Sequence, residues 1–449
     1  MARLEDPVAI GSTTVRNRLY RAPLLEVAAN KPDAARILER ELAPAAESGA
    51  GLVFQGASLV TAEGGRTAPG LSRFHDRAFV LGLAPAVAAV KQHGARLFVQ
   101  LGHGALQSME AWHAAYRAAH PGLATHAVSR PPWWFRAMLR ARFLRIDNLR
   151  VFTTEELHAL ARAFGEAARH ARDAGYDGIH LAGANGSIFQ ELWSPVFNER
   201  SDEFGGKTVE DRSAFLRLVV REIRRATRPD FPVTAKIPAE TVAPWFVRGA
   251  LTLRDGVAIA RACREAGVDA VAPVTVGVTR DQSVARGRFP KRAWDDPRFA
   301  EGYARAFGSP RKARVVRLAN RLAARLIPFE PVWNEAFFSA VKREVDGLVV
   351  LAEGGIRTRA EMDRLLRDGR ADMVGMARPF YAEPHAAARL LNEPGAAALC
   401  ESCNNCTVPQ VAGLPGVCRT PEILARRGDL AKRGAYSARK DPVHHEIDE

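Results

Sequence analysis

Two glycines and an arginine late in the chain have the types and spacing of a phosphate-binding site. Residues 351–381, LAEGGIRTRAEMDRLLRDGRADMVGMARPFY, have the pattern of a strand, a turn, a helix and a second strand. Gly354 and Gly355 follow the first strand, and Ala377 and Arg378 follow the second. Backbone N–H groups and one guanidinium would then meet at one edge of a parallel sheet and form a phosphate cradle. An ordinary βαβ unit with a tight turn is the alternative, because Gly-Gly alone is a weak motif.

Four cysteines follow this stretch as a closely spaced triplet and a distant fourth, at Cys400, Cys403, Cys406 and Cys418. This pattern is typical of the thiolates that hold a 4Fe–4S cluster, whereas zinc sites more often use two separated pairs. Zinc ligation and unligated thiols remain the alternatives. The N-terminus shows no apolar segment of a secretion signal, so we expect metal ligation rather than disulfides.

Polar side chains also stand at the ends of other apolar runs. Gln100 and His103 lie in VQLGHG, and Lys236 ends VTAK. An amide offers both donors and acceptors to a ligand, and a buried lysine without a role would leave its charge stranded. We therefore predict that Lys236 contacts a bound molecule. Gln100 is suited to the same role, although a lone glutamine at a strand end is usually a solvated polar residue. His103 is equally consistent with a hydrogen-bonded structural histidine.

The elements that must position these residues alternate between short apolar runs and helical stretches. This alternation predicts a parallel sheet closed into a (β/α)8 TIM barrel, an α/β fold whose chemistry lies at the C-terminal strand ends. We expect the barrel to occupy residues 1–395, and a Cys-rich extension with a charged tail to occupy residues 396–449. The predicted strands span residues 19–22, 52–56, 97–101, 178–181, 233–236, 270–272, 348–351 and 371–375.

Two basic amphipathic insertions interrupt the predicted barrel, at about 124–150 and 276–332. The first alternates arginines with the apolar residues Trp133, Trp134, Phe135, Met138, Leu139, Phe143 and Leu144. The second, RKARVVRLANRLAARLIPF, places on one helical face Val315, Leu318, Leu322 and Leu326. Each insertion is either a lid over the barrel mouth or a helix on a membrane surface.

Composition leaves several classes of partner open. The chain has 449 residues, 47% of them apolar, and a formal net charge of +14. That charge favours anionic partners, which include phosphates, CoA-like substrates, membrane surfaces and nucleic acid. No uncharged apolar run reaches the length of about 18 residues that a transmembrane helix requires. We expect a cytoplasmic protein, with peripheral contact to an anionic membrane as the alternative to the lid interpretation.

A family resemblance narrows these options. Residues 174–212, AGYDGIHLAGANGSIFQELWSPVFNERSDEFGGKTVEDR, resemble the longest motif of the Old Yellow Enzyme family of flavin oxidoreductases, with Asn198, Arg200, Asp202 and Arg212 in register. EGGIRT and ADMVGMARPF resemble the FMN-phosphate grip of that family. The cysteine pattern resembles that of its dienoyl-CoA reductase and trimethylamine dehydrogenase branch.

The resemblance implies an FMN-dependent oxidoreductase that takes hydride from NAD(P)H and passes it to an electron-poor alkene. It assigns the flavin phosphate to Gly354, Gly355, Ala377 and Arg378. It assigns the flavin ring to Pro23, Leu24, Gln100 and Lys236. We expect a small hydrophobic or CoA-linked substrate, and a homo-oligomer.

The candidate catalytic positions depart from the family. The family's first substrate-anchoring histidine is replaced by Ala182, while the second anchor is retained as Asn185. The proton-donating tyrosine is replaced by Ser187, and an alcohol is a far weaker acid than a phenol with a pKa near 10. Asn185, Ser187 and His103 are therefore the candidate catalytic residues, and we expect slow alkene reduction.

Three further functions remain as alternatives to alkene reduction. A dehydrogenase would pass electrons through a cysteine-bound cluster to a separate partner protein. A flavin-binding protein without turnover would explain the lost acid and anchor. A third class is the FMN barrels that reduce tRNA uridines, but these carry a catalytic cysteine at the barrel mouth, whereas Cys263 falls in the middle of a predicted helix. No nucleic-acid partner is therefore expected.

Overall fold

Parallel strands close into a barrel in the computed structural model, which describes residues 1–141, 146, 148–279 and 285–437. The strands of the chain are β1 (Val8–Ile10), β2 (Thr13–Val15), β3 (Leu19–Arg21), β4 (Leu52–Leu59), β5 (Ser72–Arg73), β6 (Arg96–Gly102), β7 (Thr125–Ala127), β8 (Leu149–Val151), β9 (Gly178–Leu181), β10 (Val233–Val242), β11 (Ala270–Gly277), β12 (Val349–Ala352) and β13 (Met373–Met376).

Helices follow most of the barrel strands and cover the outside of the sheet. They are α1 (Ala34–Glu47), α2 (Arg77–Leu81), α3 (Ala84–Lys91), α4 (Met109–Trp112), α5 (Ala114–Ala119), α6 (Trp133–Ala141), α7 (Thr154–Asp173), α8 (Ile188–Trp193), α9 (Val209–Arg212), α10 (Ala214–Ala226), α11 (Leu253–Glu265), α12 (Lys291–Asp295), α13 (Pro297–Phe307), α14 (Pro310–Leu326), α15 (Glu335–Glu344), α16 (Arg359–Arg367), α17 (Arg378–Ala382), α18 (Ala386–Asn392) and α19 (Pro421–Lys432).

The barrel strands run β3-β4-β6-β9-β10-β11-β12-β13, and β13 pairs back with β3 in parallel. This closure confirms the predicted (β/α)8 TIM barrel and each predicted strand. Both faces of such a sheet are covered, so its strands read as short apolar runs rather than as alternating patterns. β4 and β10 extend beyond their predicted ends, because Ser58 and Glu240 are buried polar residues that an apolar pattern does not include.

The barrel has two apolar layers. Tyr20, Phe54 and Phe98 fill its interior together with residues of β11, β12 and β13, with ring centroids 5.7 and 5.8 Å apart. Ile10 and Val15 of the β1–β2 hairpin join this cluster. A larger layer lies between the sheet and the surrounding helices. The interior is therefore packed, and a ligand can be held only above it, at the C-terminal strand ends.

The predicted helix signals are present. Thr358 caps α16 in a capping box with Glu361, and Thr153 and Glu156 form the same arrangement at the start of α7. Cys263 lies buried inside α11, as its sequence position predicts. The proposed boundary between residues 395 and 396 stays a prediction. The extension does pack on the barrel side, where Leu399 and Ile423 form an apolar cluster with Ala382.

The two insertions differ in how they pack. In the first, α6 buries Phe135 against Phe197, with ring centroids 5.4 Å apart, and leaves Trp133 exposed. Arg142, Phe143, Leu144 and Arg145 of that insertion lie outside the described residues, as does the end of the charged tail. The second insertion contains α12, α13 and α14. None of the helices in the described ranges is long and apolar enough to cross a bilayer.

Candidate functional site

A cavity of about 310 Å³ lies at the C-terminal ends of the barrel strands. It brings together every residue that the sequence assigned to cofactor binding or catalysis, although these residues are spread over more than 350 positions of the chain. The predicted cofactor residues that line it are Pro23, Leu24, Gln100, Lys236, Gly354, Gly355, Ala377 and Arg378. The predicted catalytic residues that line it are His103, Asn185 and Ser187.

Arg378 gives one end of the cavity a buried positive charge. Its side chain donates to the side-chain oxygen of Asn404 and, at 2.8 Å, to the carbonyl oxygen of Arg286. Both acceptors are neutral, and within the described ranges no carboxylate pairs with Arg378. A buried guanidinium that lacks an anionic partner is costly unless a ligand supplies the charge. This end of the cavity therefore suits a phosphate.

Arg357 lies at the same end and was not singled out from the sequence. It lines the cavity, donates to the hydroxyl of Ser402 and stacks over Phe329 with 4.5 Å to the ring centroid. Burial and the nearby charge of Arg378 lower the pKa of Arg357. Two guanidinium groups so close together strengthen the case for an anion at this end.

The Gly354–Gly355 turn is required by its neighbours as well as by any ligand. Both glycines have positive φ, +107° and +83°. A Cβ on Gly354 would lie 2.3 Å from the side-chain nitrogen of Asn334, and one on Gly355 would lie 2.6 Å from the carbonyl of Glu330. Asn334 in turn donates to the carbonyl of Glu353 and accepts from the backbone N–H of Thr275, both at 2.8 Å. The turn is therefore fixed in shape before a ligand binds.

Lys236 forms an ion pair with Glu353 inside the cavity. The side chains are 12% and 10% exposed, so the pair is largely removed from water. Glu353 was not among the site residues predicted from the sequence, which assigned Lys236 to a bound molecule alone. The carboxylate accounts for the burial of the lysine and offsets part of the positive charge that Lys236 would present to a bound ring. The second oxygen of Glu353, Oε2, is buried and has no hydrogen-bond partner among the described residues.

The loop after β3 forms another wall of the cavity through Pro23 and Leu24. The hydroxyl of Tyr381 lies 2.9 Å from the carbonyl of Leu25, and the side chain of Gln410 donates to the same oxygen at 2.8 Å. Gln410 also donates to the Tyr381 hydroxyl at 3.0 Å. Because Gln410 belongs to the Cys-rich extension, that extension helps to position the cavity wall.

His103 is a neutral hydrogen-bonding group rather than an acid. Its Nδ1 accepts from the backbone N–H of Ala105 at 3.2 Å, which places the ring proton on Nε2. Burial and the nearby ring of His126 lower the pKa of His103 to about 3. At neutral pH the ring therefore carries no excess proton to deliver. It can donate a hydrogen bond from Nε2, which is the role that polarises a carbonyl.

Ser187 acts first as a helix cap. Its hydroxyl accepts from the backbone N–H of Gln190 at 3.3 Å and begins α8. Asn185 precedes it with a left-handed φ of +62° and lines the cavity beside Ala182. The segment therefore presents one amide and one alcohol to the cavity, and Ala182 contributes only a methyl group.

A buried carboxyl group fixes this segment against β10. Glu240 accepts from the side chains of Gln190 and Ser194 and from the backbone N–H of Leu251, each at 2.9 Å. Gln190 also accepts from the backbone N–H of Gly186 at 2.8 Å. Burial raises the pKa of Glu240 to about 7. Sequence reasoning missed this network, because no motif marks its members.

The four cysteines converge on a second, smaller cavity lined by Cys400, Cys403, Cys406 and Cys418. Burial raises the pKa of Cys406 to about 12 and also raises that of Cys418. Both thiols are therefore protonated at neutral pH unless a cation displaces the protons. Arg378 and Tyr381 line both cavities and form the wall between them.

The four cysteines supply the donor set of a metal site, although the described residues show no assembled one. Zinc–sulfur bonds of about 2.3 Å bring four thiolates close to one point. No group of three or more His, Cys, Asp or Glu side chains stands in such an arrangement within the part of the chain that the structure describes. Four thiols around a shared cavity are nevertheless the donor set that a 4Fe–4S cluster uses.

The larger cavity also fits a flavin mononucleotide. It is lined by two guanidinium groups, by the amide of Gln100 and by the Lys236–Glu353 pair. Two polar atoms of lining residues, Trp333 Nε1 and Glu353 Oε2, are buried without a hydrogen-bond partner among the described residues. Native proteins rarely leave such atoms unsatisfied, so they indicate that a polar molecule completes the site.

Comparison with known proteins supports one family. A model of the NADH:flavin oxidoreductase / NADH oxidase family matches residues 3–247. The chain is 26% identical over 425 residues to NADH oxidase of Thermoanaerobacter brockii, an alignment that covers 91% of this chain and 56% of the relative. The chain thus spans little more than half the length of that relative.

Solved structures agree with the barrel. The 2-naphthoyl-CoA reductase–2-naphthoyl-CoA complex superposes with a TM-score of 0.71 at 18% identity, covering 97% of this chain and 58% of the other. The 6-hydroxypseudooxynicotine amine oxidase of Pseudomonas geniculata N1 gives a TM-score of 0.68 at 22% identity, covering 92% and 53%. At these identities the likeness concerns the fold.

Proposed function

The chain belongs to the NADH:flavin oxidoreductase / NADH oxidase family, and we propose that it is an FMN-dependent oxidoreductase driven by NADH or NADPH. Its proposed reaction is the reduction of an electron-poor alkene or a related hydrophobic substrate. The observation that carries this proposal is that one cavity unites Arg378 with Gln100, Lys236 and Asn185. Bound FMN would supply hydride transfer between nicotinamide and substrate.

The residues of the chain divide this work by their chemistry. Arg378 and Arg357 hold the phosphate by charge-assisted hydrogen bonds. The Gln100 amide meets the ring edge, and the Lys236–Glu353 pair sets the charge beside it. The Asn185 amide and the Nε2–H of His103 donate hydrogen bonds to the substrate's activating oxygen. Ser187 caps α8 and is a poor proton donor, so water delivers the proton to the substrate.

The cavity walls and one similar fold support the proposed substrate class. Apolar groups such as Leu24, Leu71 and Ala182 line the cavity, whereas no carboxylate other than Glu353 does so in the described ranges. A hydrophobic acceptor therefore suits it. The similar fold of the 2-naphthoyl-CoA reductase complex supports a CoA-linked substrate as the more specific proposal, because the chain's net charge of +14 suits an anionic carrier.

A second candidate function is a dehydrogenase that passes electrons to a separate partner protein. The shared wall of Arg378 and Tyr381 between the two cavities favours it, since a cluster at the cysteines would adjoin the flavin cavity. The likeness to an amine oxidase is consistent with this alternative. An iron and sulfide assay on anaerobically purified protein distinguishes the two, because alkene reduction does not itself require a cluster.

The experiment that tests the main proposal compares flavin content and half-reactions. Wild-type protein should purify with FMN and be bleached by NADH or NADPH under anaerobic conditions. Arg378→Ala should lose most of the flavin, while the matched surface variant Arg221→Ala on α10 should retain it. Equal flavin retention in both variants would refute the phosphate assignment, and no bleaching by either nicotinamide would refute the proposed electron donor. Homo-oligomer formation also stays a prediction, which light scattering measures.

A further inference from the structure

Helix α14 presents an apolar row to solvent. Leu318 and Leu326 are 68% and 72% exposed. α14 has 17 residues and also has a buried side, but these leucines do not lie on it. That buried side packs through Ala313 and Val316 against aromatic residues of the second insertion. The outward row has spacings of three and four residues, which place its members on one helical face. It consists of Val315, Leu318, Leu322 and Leu326.

The same exposed face carries uncompensated positive charge. α14 contains no aspartate or glutamate. Four exposed arginines flank the apolar row, and within the described ranges none of them forms an ion pair; they are Arg311, Arg314, Arg321 and Arg325. Arg317 on the inner side differs, since it pairs with Asp295. A helix in a lipid interface typically has arginines next to leucines. The arginine methylene groups cover apolar surface, and the guanidinium groups stay available to phosphates.

The positive charge of the flanking arginines argues against the binding of a second copy of the chain to this face of α14. A two-fold contact would bring the same row together from both copies. The flanking arginines would then face arginines, and like charges brought together across an interface cost several kcal/mol. An anionic bilayer offers an apolar layer for the leucines and phosphates for the arginines.

Other exposed aromatic groups lie on the loop after the strand that neighbours β11. β10 and β11 are neighbours in the barrel. The loop after β10 exposes Trp245 and Phe246, and α14 lies in the insertion after β11. Both segments follow C-terminal strand ends, as the larger cavity does. Trp is enriched at membrane–water interfaces, where its ring lies at the headgroup level.

We infer that α14 docks the protein on an anionic phospholipid bilayer, with its leucines at the acyl boundary and its arginines among the phosphates. The docking rests on α14 alone and is independent of the proposed reaction. It would orient the cavity rim towards the lipid, from which a hydrophobic substrate can enter.

Sedimentation with vesicles tests this inference on the 449-residue chain as purified. Binding should occur to vesicles of phosphatidylcholine with one third phosphatidylglycerol, and should be absent with phosphatidylcholine alone. It should weaken as salt is raised, because screening shortens the reach of the charges. Arg314→Glu/Arg321→Glu should weaken binding by at least about tenfold. The matched pair Arg162→Glu/Arg221→Glu, on the outer helices α7 and α10, should leave binding unchanged.

A second pair of substitutions separates lipid from self-association. Leu318→Gln/Leu322→Gln should also reduce vesicle binding, and should leave the molar mass by light scattering unchanged. Equal binding of wild type and both α14 variants would overturn the assignment to α14. No binding of wild type at low salt would overturn membrane docking. A dimer that the leucine substitutions convert to a monomer would assign the row to a second copy instead.

Discussion

Restoring the two missing family groups, Ala182→His and Ser187→Tyr, tests how this cavity handles an alkene. Both residues line the cavity, so the new imidazole and phenol would face the same space as Asn185. One added donor to a developing oxyanion is typically worth about 2.7–4 kcal/mol, or roughly 10²–10³ in rate. A positioned acid contributes a further factor of about 10²–10⁴. These factors are not additive for groups that act together, so we expect a gain of at least about 10².

The same substitution has a structural cost that can be measured separately. Ser187 caps α8 through the N–H of Gln190, and losing such a cap costs about 1 kcal/mol of stability. Ser187→Ala removes the cap without adding a phenol and is the matched control. It should lower the melting temperature as the tyrosine variant does, without accelerating alkene reduction.

Stopped-flow spectroscopy of the two half-reactions reads out the effect. Flavin reduction by NADH or NADPH should be fast in the wild type and little changed in the double variant. Flavin reoxidation by 2-cyclohexenone should be slow in the wild type and faster in the double variant. Fast reoxidation of the wild type would show that Asn185, His103 and water suffice without the family's imidazole and phenol, and would refute the expected slow alkene reduction. A folded, flavin-loaded double variant without acceleration would show that the cavity lacks the family geometry.

Three further predictions concern buried ionisable side chains. The pKa of Glu240 is about 7 in the folded chain and 4.5 when unfolded. The folded chain therefore holds this proton more tightly, and the free energy of unfolding falls by about 3 kcal/mol as pH rises from 4.5 to 7. Above pH 7 it stays at the lower value. Glu240→Gln should flatten the difference between unfolding free energies measured at pH 5 and pH 8, and an unchanged difference would contradict the assignment. Glu353→Gln should leave Lys236 uncompensated and raise the flavin reduction potential by tens of millivolts, because the positive charge then favours the anionic reduced ring. A shift of about 30 mV corresponds to about 1.4 kcal/mol for a two-electron couple. A dye-equilibration titration that finds no rise would refute this prediction. Cys406→Ser should lower iron content from about four per chain, whereas wild-type protein that contains zinc or no metal after anaerobic purification would exclude the cluster.

The barrel could be predicted from the sequence because its signals are local. Each strand is a short apolar run, and each helix has its own cap, such as Thr358 with Glu361. The rim shared by Gln100, Lys236 and Arg378 then follows from topology, since parallel strands in a barrel end on one rim. The predicted end of β10 at Lys236 was wrong, because the strand continues to Val242. The cavity that they share was therefore predictable before any contact was known.

The pairing of charges in that cavity, and the support of its walls by the extension, depended on tertiary structure. Nothing local indicates that Glu353 pairs with Lys236, that Arg357 joins Arg378, or that Gln410 of the extension supports the loop after β3. Likewise, periodicity shows that α14 is amphipathic but not which way it faces. Burial decides this, because a helical stripe packs equally well against a barrel or a bilayer until the neighbouring surface is known. The sequence by itself determined the elements and the rim; the pairing of buried charges and the exposure of the leucine row were decided by long-range packing.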